Sequence, residues 1–305
     1  MHSKQQKILI TGGRGFFGSY VCQKLQHTSE LIAVVRPGET PPPQTEAYEW
    51  DLLEKRPLHM KDQLRGIDAI IHLAQSAKYR QFPEQADELF QVNIAATEQL
   101  LEFAYQTGVK QFIFASTGSI YRAEESRQVS LTENAVVSPQ GFYATSKLVS
   151  EHLIQTYGHY FKSKILRFFF LYGPKQKDKL IPNLVEKIIR NNAIQLQGTD
   201  GYTFQPLHVR DAAALVANVL NYPDALLLNV AGNTRITLRQ TCEVLGQSLG
   251  IEPSFAADLM AKVTDWCVDT TRLQTLLNFH WQVSPVEGLR EVVYFARPQF
   301  QDLCK

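Results

Sequence analysis

The stretch Thr11-Gly12-Gly13-Arg14-Gly15-Phe16-Phe17-Gly18 decides how the amino-terminal half of the chain is expected to fold. It follows the short apolar run Lys7-Ile8-Leu9-Ile10, typical of a buried strand, and it leads into the helical spacing of Val21 and Leu25. The pattern predicts a strand, a glycine turn and a helix. Such a turn lets the backbone approach a diphosphate closely, while the first helix amides point at the anion. A glycine-rich turn with a purely structural role is the alternative.

A second apolar run, Leu31-Ile32-Ala33-Val34-Val35, ends at Arg36. In a fold that binds a dinucleotide, an acidic residue at this place accepts a hydrogen bond from a ribose 2′-hydroxyl, whereas arginine suits a 2′-phosphate. Arg14 in the glycine turn would add a second cation beside that phosphate. The sequence therefore predicts NADP(H) as the cofactor, with NAD(H) as the alternative. The alternative for Arg36 is an exposed side chain without a role in binding.

Further apolar runs continue the alternation of strands and helices. Residues 67–74, 111–115 and 164–171 predict strands, and residues 84–107 show helical spacing that ends at Gly108. This alternation predicts an α/β fold built on a doubly wound parallel sheet, in which ligands lie at the carboxyl ends of the strands. Beyond residue 174 the alternation weakens, and a second, mixed lobe is expected.

Two polar residues border the predicted strands. Asp51, after Trp50, is expected either to accept a hydrogen bond from an adenine amino group or to serve as a plain turn residue. His72 lies in an apolar run, and we expect a hydrogen-bonded core histidine rather than a base.

The stretch Tyr143-Ala144-Thr145-Ser146-Lys147 places a phenol and an ammonium four residues apart, on one face of a helix. A nearby cation favours phenolate and would lower the pKa of Tyr143 from its usual value of about 10. The fifth strand delivers the hydroxyls of Ser116 and Thr117 to its carboxyl end, where they could share a substrate oxygen with the phenol. An acid/base site is the prediction, and a solvated helix face is the alternative.

Composition excludes several classes of partner. The 305 residues carry a net charge of +1, which gives no bulk attraction to nucleic acid or to an anionic membrane. The four cysteines are scattered, so neither a zinc site nor a disulfide framework is predicted, and no metal is expected. The chain lacks the pattern of a signal peptide and an apolar stretch of about 20 residues. A soluble, cytoplasmic protein acting on a small molecule is expected.

Several segments resemble, in the same order, the extended short-chain dehydrogenase/reductase family of the NAD-dependent epimerase/dehydratase type. They are residues 11–18, 68–74, 92–97, 114–117, 143–147, 166–169, 172–174, 208–211 and 269–272. The resemblance implies a Rossmann domain over residues 1–174, to which residues 208–231 return, and a substrate-binding lobe over residues 175–207 and 232–305. It also implies a homodimer formed through the helix near residues 88–105 and the Tyr143 helix.

The resemblance assigns roles to particular residues. Thr117, Tyr143 and Lys147 are the implied catalytic set: Tyr143 exchanges a proton with the substrate oxygen, Thr117 shares that oxygen, and Lys147 lowers the tyrosine pKa and holds ribose hydroxyls. The expected cofactor-binding residues include Tyr143 and Lys147 and, in addition, Gly12, Arg14, Gly15, Phe16, Phe17, Gly18, Arg36, Asp51, Leu52, Leu73, Ala74 and Asn93.

Departures from the family pattern narrow the reaction. Gly118 and Ser119 stand where sugar 4,6-dehydratases of the family carry Asp-Glu, so a dehydratase is not expected. Phe170 and Phe204 replace an asparagine and an arginine that grip nucleotide sugars in many members, and Leu259 and Met260 stand where another arginine is usual. The loss of these contacts weakens a diphosphate grip unless nearby lysines substitute.

Three functional hypotheses follow from these observations. The first is a nucleotide-sugar epimerase or 4-ketoreductase. The second is an NADPH-dependent carbonyl reductase of an apolar, non-nucleotide substrate, suggested by the phenylalanines at 168, 169, 170 and 204, which core packing would equally explain. The third is a non-catalytic dinucleotide-sensing protein, which the intact Tyr143 and Lys147 disfavour.

Overall fold

The computed structural model describes residues 5–122, 130–263 and 265–300. The strands of this part of the chain are Gln6–Thr11 (β1), Ser29–Val35 (β2), Glu46–Glu49 (β3), Ala69–His72 (β4), Gln111–Thr117 (β5), Lys162–Phe168 (β6), Leu171–Tyr172 (β7), Ile194–Gln197 (β8), Thr203–Phe204 (β9), Leu207–His208 (β10), Leu226–Val230 (β11), Ile236–Thr237 (β12) and Phe255–Asp258 (β13). The α-helices are Phe16–Leu25 (α1), Met60–Gln63 (α2), Ala86–Phe90 (α3), Ala96–Thr107 (α4), Gly141–Thr156 (α5), Leu180–Ile189 (α6), Val209–Asn221 (α7), Leu238–Leu249 (α8), Thr271–Leu277 (α9) and Pro285–Phe300 (α10).

The central sheet has seven strands in the order β11-β6-β5-β4-β1-β2-β3, and the pairings among β1 to β6 are parallel. Sequential strands run outward from β1 in one direction and from β4 in the other. The predicted α/β fold with a doubly wound parallel sheet is confirmed. In such a sheet the change of direction leaves a crevice at the carboxyl ends of β1 and β4, where Thr11 and His72 lie side by side.

The strands are apolar because helices cover both faces of a parallel sheet. The core of this part joins strand side chains such as Leu9, Ile70 and Phe112 to Leu100 and Phe103 of α4. All five are essentially buried. Burial of large apolar side chains contributes about 1.5 to 3 kcal/mol each, so this layer holds the carboxyl ends of the strands in fixed relation.

The predicted helix over residues 84–107 is observed as α3, a π-helical turn over Gln91–Ala95, and α4. It ends at Gly108, whose φ of +70° is the left-handed conformation that favours glycine at a helix end. The π turn was not predicted. Such turns are frequent at functional sites, and this one contains Asn93.

By backbone contacts, the chain divides into two compact units. The first comprises Met1–Arg122, Val136–Phe168 and Ala213–Leu228, and the second comprises Ala123–Ala135, Phe169–Ala212 and Asn229–Lys305. The second unit has its own apolar core, formed mainly by α6, α8 and α10. The substrate-binding role of this lobe stays a prediction.

Helix α10 was missed at the level of sequence. Ser284 and Glu287 form reciprocal hydrogen bonds around its start, and Pro285 occupies its first turn. The motif Ser-Pro-Val-Glu is a capping box with proline at the first helical position, so the signal was present in the sequence.

The predicted strand over residues 164–171 is interrupted. It ends as β6 at Phe168 and resumes as the short β7. Phe170 has a φ of +41°, which a bulky side chain rarely adopts, and this conformation breaks the extended backbone. The sequence gives no warning of the break because the run Phe168-Phe169-Phe170 has high strand propensity.

Cys22, Cys242 and Cys267 are buried free thiols, and Cys304 lies outside the described residues. Burial raises the pKa of the Cys22 thiol to about 11 and that of Cys242 to about 12. Among the described residues, no helix combines the length and the apolar composition that a bilayer crossing requires. The predicted cellular location stays a prediction.

Candidate active site

The glycine turn connects the carboxyl end of β1 to α1. Gly12 has a φ of +72°, and a Cβ there would lie 2.7 Å from the amide nitrogen of Ala74. A Cβ at Gly18 would overlap the carbonyl oxygen of Gly12, which also accepts a hydrogen bond from the Gly15 amide at 3.0 Å. Close packing of the turn against the β4 loop and α1 therefore requires two of the glycines.

The amino terminus of α1 suits a diphosphate. Gly15 caps the helix without a side chain, and the first turn contains no acidic residue. The first amides of a helix have no partner within it and carry the positive end of its dipole. Phe16 begins the helix, and the ring of Phe17 packs edge to face on Phe168 at 4.9 Å between centroids. These residues fit the diphosphate of a dinucleotide.

The two arginines of the predicted phosphate site are exposed and are both engaged with carboxylates. Arg14 forms an ion pair with Glu39, and the Arg36 Nε lies 3.9 Å from an oxygen of Asp51. Arg14 holds the pKa of Glu39 below its usual range, and Arg36 contributes in the same direction. Each arginine therefore lies beside a carboxylate, and their role toward a 2′-phosphate stays a prediction.

The other predicted cofactor residues follow β4, in the case of Leu73 and Ala74, and β3, in the case of Asp51 and Leu52. Leu73 donates its backbone amide to the Thr11 carbonyl at 3.2 Å, and Ala74 donates to the Thr11 hydroxyl at 3.3 Å. Asp51 accepts a hydrogen bond from the backbone of Leu53, which is the behaviour of a turn residue, while Leu52 packs partly on the core. Their roles toward a cofactor stay predictions.

Asn93 is buried and joins three segments. Its side-chain oxygen accepts from the Ser76 amide at 3.0 Å, and its amide nitrogen donates to the Ser146 hydroxyl at 2.9 Å. The Ser150 hydroxyl donates to the Asn93 carbonyl at 2.7 Å. The structure thus places Asn93 where it fixes the loop after β4 against α5, in addition to any contact with a cofactor.

The Tyr143 phenol meets groups from two segments. From the loop after β4, it donates a hydrogen bond to the side-chain oxygen of Gln75 at 2.9 Å, and its ring lies 5.0 Å from that of Tyr79. From β5, Thr117 acts on the phenol in the direction that lowers its pKa. Thr117 ends β5 and caps the following 3₁₀ turn by accepting from the Ser119 amide. The predicted pair of Thr117 and Tyr143 is therefore brought together.

The expected lowering of the Tyr143 pKa is wrong. Burial raises the pKa of Tyr143 to about 12, and the hydrogen bond with Thr117 opposes this only in part. Lys147 is 2% exposed; its ammonium donates to the Ala115 carbonyl at 2.9 Å and lies 4.7 Å from the centroid of the Phe114 ring. The position of a lysine along a helix does not report desolvation, which is the largest influence on the pKa of both groups.

His72 is a satisfied core histidine, as predicted. It is fully buried, and its ring nitrogens lie 2.6 Å from the Thr11 hydroxyl and 2.9 Å from the Thr97 hydroxyl. Burial, followed by the charge of Lys147, lowers the pKa of His72 to about 3. The ring is therefore neutral near pH 7 and is not a base.

A buried ion pair lies behind the site, and it was not predicted as part of the site. Arg167 donates to both carboxylate oxygens of Glu151, at 3.1 Å and 3.2 Å through Nε and at 2.7 Å through one terminal nitrogen. Ser116 also donates to Glu151, and Arg167 to the Tyr121 hydroxyl. The available signals were an acidic residue four positions after Lys147 and an arginine within an apolar strand.

Aromatic side chains cluster in the second unit. Phe170 packs against Phe204 at 4.8 Å, Trp266 at 5.9 Å and Tyr202 at 6.3 Å between ring centroids. Phe204 is fully buried, whereas Phe170 and Trp266 are half-buried. These contacts hold Phe170 in its left-handed conformation, which for a residue of this type costs of the order of 1 to 3 kcal/mol.

Comparison with known proteins identifies the family. Residues 8–231 match the sequence model of the NAD dependent epimerase/dehydratase family. The chain belongs to this family. Its membership confirms the resemblance drawn from the motifs and supports an enzyme.

Individual relatives differ in reaction. The chain is 26% identical to the "Uncharacterized UDP-glucose epimerase YtcB" of Bacillus subtilis, over 95% of this chain and 98% of that one. It is 29% identical to the dTDP-D-glucose 4,6-dehydratase of Dictyostelium discoideum, over 68% of this chain and 53% of that one. The structure resembles that of the Bacillus cereus UDP-glucuronic acid 4-epimerase in complex with NAD, with a TM-score of 0.81 and 23% identity over 97% and 100% of the two chains.

Proposed function

We propose that this protein is a dinucleotide-dependent enzyme that transfers hydride at a sugar-type hydroxyl or carbonyl carbon, as a nucleotide-sugar epimerase or a 4-ketoreductase. The observation that carries the proposal is that Tyr143 lies beside Thr117 at the carboxyl end of β5, close enough for Thr117 to lower the tyrosine pKa, with Lys147 one helical turn away. Family membership and the sugar-nucleotide relatives support the substrate class.

The side chains have distinct tasks in this reaction. In the direction of reduction, Tyr143 gives its phenolic proton to the substrate oxygen, and in the direction of oxidation the phenolate takes a proton from the substrate hydroxyl. The Thr117 hydroxyl shares that oxygen and keeps it at hydrogen-bond distance from the phenol. The Lys147 ammonium holds ribose hydroxyls of the dinucleotide. When bound, the dinucleotide supplies or accepts the hydride.

Substitution of Tyr143 tests this assignment. Y143F removes the proton donor while keeping the ring, and we expect turnover to fall by about 100- to 10,000-fold. The assay is a panel of UDP-sugars and dTDP-4-keto sugars with NAD⁺ or NADPH. Y294F, on an exposed tyrosine of α10, is the matched control and should keep full activity. Unchanged turnover in Y143F would show that this tyrosine is not the acid/base.

We further propose that the enzyme is not a 4,6-dehydratase. Gly118 and Ser119 follow Thr117, and neither supplies a carboxyl group for the elimination of water. The Ser119 amide and hydroxyl are both hydrogen-bonded to Thr117. Incubation with dTDP-glucose is expected to give no dehydrated product, and the appearance of one would contradict this exclusion.

The proposed cofactor is NADP(H). Support comes from Arg14 and Arg36, which flank Glu39 at the end of β2, while the NAD held by the Bacillus cereus enzyme favours NAD(H) as the alternative. A bound 2′-phosphate would displace the carboxylates of Glu39 and Asp51 from the two arginines. It would then accept charge-assisted hydrogen bonds from the guanidinium groups.

Dissociation constants for NADP⁺ and NAD⁺ test this preference. We expect NADP⁺ to bind about tenfold more tightly, equivalent to about 1.4 kcal/mol, and R36A to abolish the difference. R65A removes an exposed arginine elsewhere on the surface and serves as the control. Tighter binding of NAD⁺ to the wild type would overturn the proposal.

A second candidate function is the reduction of an apolar, non-nucleotide carbonyl compound. The aromatic cluster of Phe170, Tyr202, Phe204 and Trp266 favours it, because aromatic rings bind apolar groups rather than phosphates. Titration with UDP and dTDP discriminates between the candidates. Micromolar binding would support a nucleotide sugar, and no detectable binding would defeat that substrate class in favour of the second candidate.

We also propose that the protein forms a homodimer through α4 and α5. Apolar or aromatic side chains are exposed along these helices or just beyond them, namely Phe90, Tyr105, Val149 and Tyr160. The rings of Tyr105 and Tyr160 pack at 4.6 Å between centroids, so the exposed groups of the two helices are contiguous. An extended apolar patch of this kind is typical of a protein interface.

A further inference from the structure

The side-chain oxygen of Gln75 accepts a hydrogen bond of 2.9 Å from the Tyr143 phenol. It follows β4 and is itself exposed, so it is reachable from solvent rather than part of the core. Thr117 also acts on the phenol, in the direction that lowers its pKa. A hydroxyl has one proton to donate, so Gln75 occupies the donor direction of the phenol.

The backbone around Gln75 is firmly held. The next residue, Ser76, is 2% exposed; its amide donates to Asn93 at 3.0 Å and its hydroxyl to Glu88 at 2.7 Å. Asn93 also donates to Ser146, which in turn donates to the Tyr143 carbonyl at 2.8 Å. This chain of bonds ties the Gln75 backbone to the helical turn that carries Tyr143, so their contact is built into the fold.

A glutamine amide has one property that a carboxylate or an apolar side chain lacks. Its oxygen accepts from a phenol, and after rotation about the last side-chain bond its NH₂ group donates to a phenolate. Tyr143 must pass through both states in the proposed reaction, because it gives up its proton in one direction and takes one in the other.

We propose that Gln75 is a catalytic residue whose side-chain amide stabilises Tyr143 in both protonation states, accepting from the phenol through its oxygen and donating to the phenolate through its nitrogen. Gln75 neither gains nor loses a proton, since only the orientation of the amide changes. The inference rests on the proposed acid/base role of Tyr143. The group that contacts the phenol is a side chain of the protein and does not depend on a bound cofactor or substrate.

Other groups also act on the phenol. Tyr79 and Arg80 come from the turn after β4, with the Arg80 guanidinium 5.2 Å from the centroid of the Tyr79 ring. β5 contributes the uncharged Thr117, and α5 itself contributes Lys147. Tyr79 raises the pKa of Tyr143. These groups are constant when Gln75 is substituted, so a change in the ionisation of Tyr143 is attributable to position 75.

The test measures the ionisation of residue 143 directly. Difluorotyrosine introduced at this position alone has a more acidic phenol, which brings its ionisation into a pH range that a folded protein tolerates. The fluorine NMR shift then reports the titration without substrate or cofactor. The variants are Q75L, which has neither donor nor acceptor, and Q75E, which is an acceptor only. Q81E adds the same charge at an exposed residue of the same region and is the control.

A bond to phenolate is stronger than a bond to phenol, because charge-assisted hydrogen bonds are about twice as strong as neutral ones. Loss of the amide in Q75L is therefore expected to raise the midpoint of the titration, reducing the ionisation constant by about fivefold. Q75E should reduce it by more than tenfold, and Q81E should leave it within about twofold. If Gln75 only accepts from the phenol, Q75L will lower the midpoint, and either that result or an unchanged midpoint overturns the inference.

The fluorine titration and the activity of Y143F test different claims, so the role of Gln75 and the proposed function can fail independently. Full activity of Y143F would end the acid/base role of the tyrosine, whereas the fluorine titration still reports whether the amide serves both states. A lowered midpoint in Q75L together with an inactive Y143F would leave the proposed function standing and remove only the role of Gln75. Both Gln75 variants change an exposed side chain, and unchanged near-ultraviolet circular dichroism verifies that they fold.

Discussion

At the scale of single residues, Lys147 illustrates how burial changes a charged group. The side chain is almost completely withdrawn from water, and desolvation lowers its pKa to about 7, against the opposing effect of Glu151. The Ala115 carbonyl and the Phe114 ring face its ammonium in place of water. Lys147 therefore loses its proton near pH 7 rather than near pH 10.

This shift couples folding to pH. In the unfolded chain a lysine has a pKa of about 10.4, so between about pH 7 and pH 10 the unfolded state binds the proton that folded Lys147 has lost. The contribution of Lys147 to stability must then rise with pH across this window. K147M removes the titrating group and keeps much of the side-chain length, so the difference between the two proteins isolates the effect.

We expect the free energy of unfolding of the wild type, minus that of K147M, to increase by about 1 to 2 kcal/mol between about pH 7.5 and pH 9.5. Urea unfolding at a series of pH values measures it. Lys164 and the buried tyrosines are present in both proteins, and their contributions cancel. A difference that stays flat with pH would mean that the pKa of Lys147 is not depressed in the fold.

At the scale of elements, helix α5 places its functional residues one turn apart. Tyr143, Lys147 and Glu151 follow one another at intervals of four, so they share one face. Glu151 and Arg167 join α5 to β6 through an ion pair in which both side chains are at most 5% exposed. This ion pair fixes α5 to the sheet one helical turn after Lys147, and so helps to position Tyr143 and Lys147.

Breaking this pair is expected to destabilise the protein strongly. E151Q leaves the Arg167 guanidinium buried without its counter-charge, and the free energy of unfolding should fall by about 3 to 5 kcal/mol. The double substitution E151M/R167M removes both charges and should cost less than E151Q. The control is E186Q, which breaks an exposed pair with Arg190 and should cost less than about 1 kcal/mol. Equal small losses in E151Q and E186Q would contradict this account.

At the scale of the whole molecule, the exposed apolar face on α4 and α5 bears on assembly. Phe90 and Tyr105 lie fifteen residues apart, which is close to a whole number of helical turns, and they are therefore near one side of the continuous helix. Side chains of this kind on a surface helix are usually covered by a partner. The resemblance to the family implies the same two helices.

We expect the wild type to sediment as a dimer and Y105E to sediment as a monomer, because a carboxylate at the centre of the patch would be buried without a partner. Sedimentation equilibrium over a range of protein concentrations measures this. V136E changes an exposed valine outside the patch and should remain dimeric. A wild type that is monomeric at every concentration would refute the proposed interface.

Local patterns were sufficient for much of the fold. The strand ending at Thr11, the glycines of the turn and the helix after it follow from spacing and from the steric freedom of glycine. The carboxyl-end placement of Thr117 likewise follows from the strand before it. The helix over residues 285–300 was not predicted, although its capping box is visible in the sequence.

The sequence by itself determined the alternation of strands and helices, the family, and the spacing of Tyr143 and Lys147, because each depends on residues close together in the chain. Only the tertiary structure decided that Tyr143 has a raised pKa, that Lys147 is almost completely buried, and that Gln75 accepts a hydrogen bond from the phenol. Desolvation and hydrogen bonding depend on segments that lie 68 residues apart in the case of Gln75 and Tyr143. No pattern within a single segment reports such contacts, since they exist only after the chain has packed.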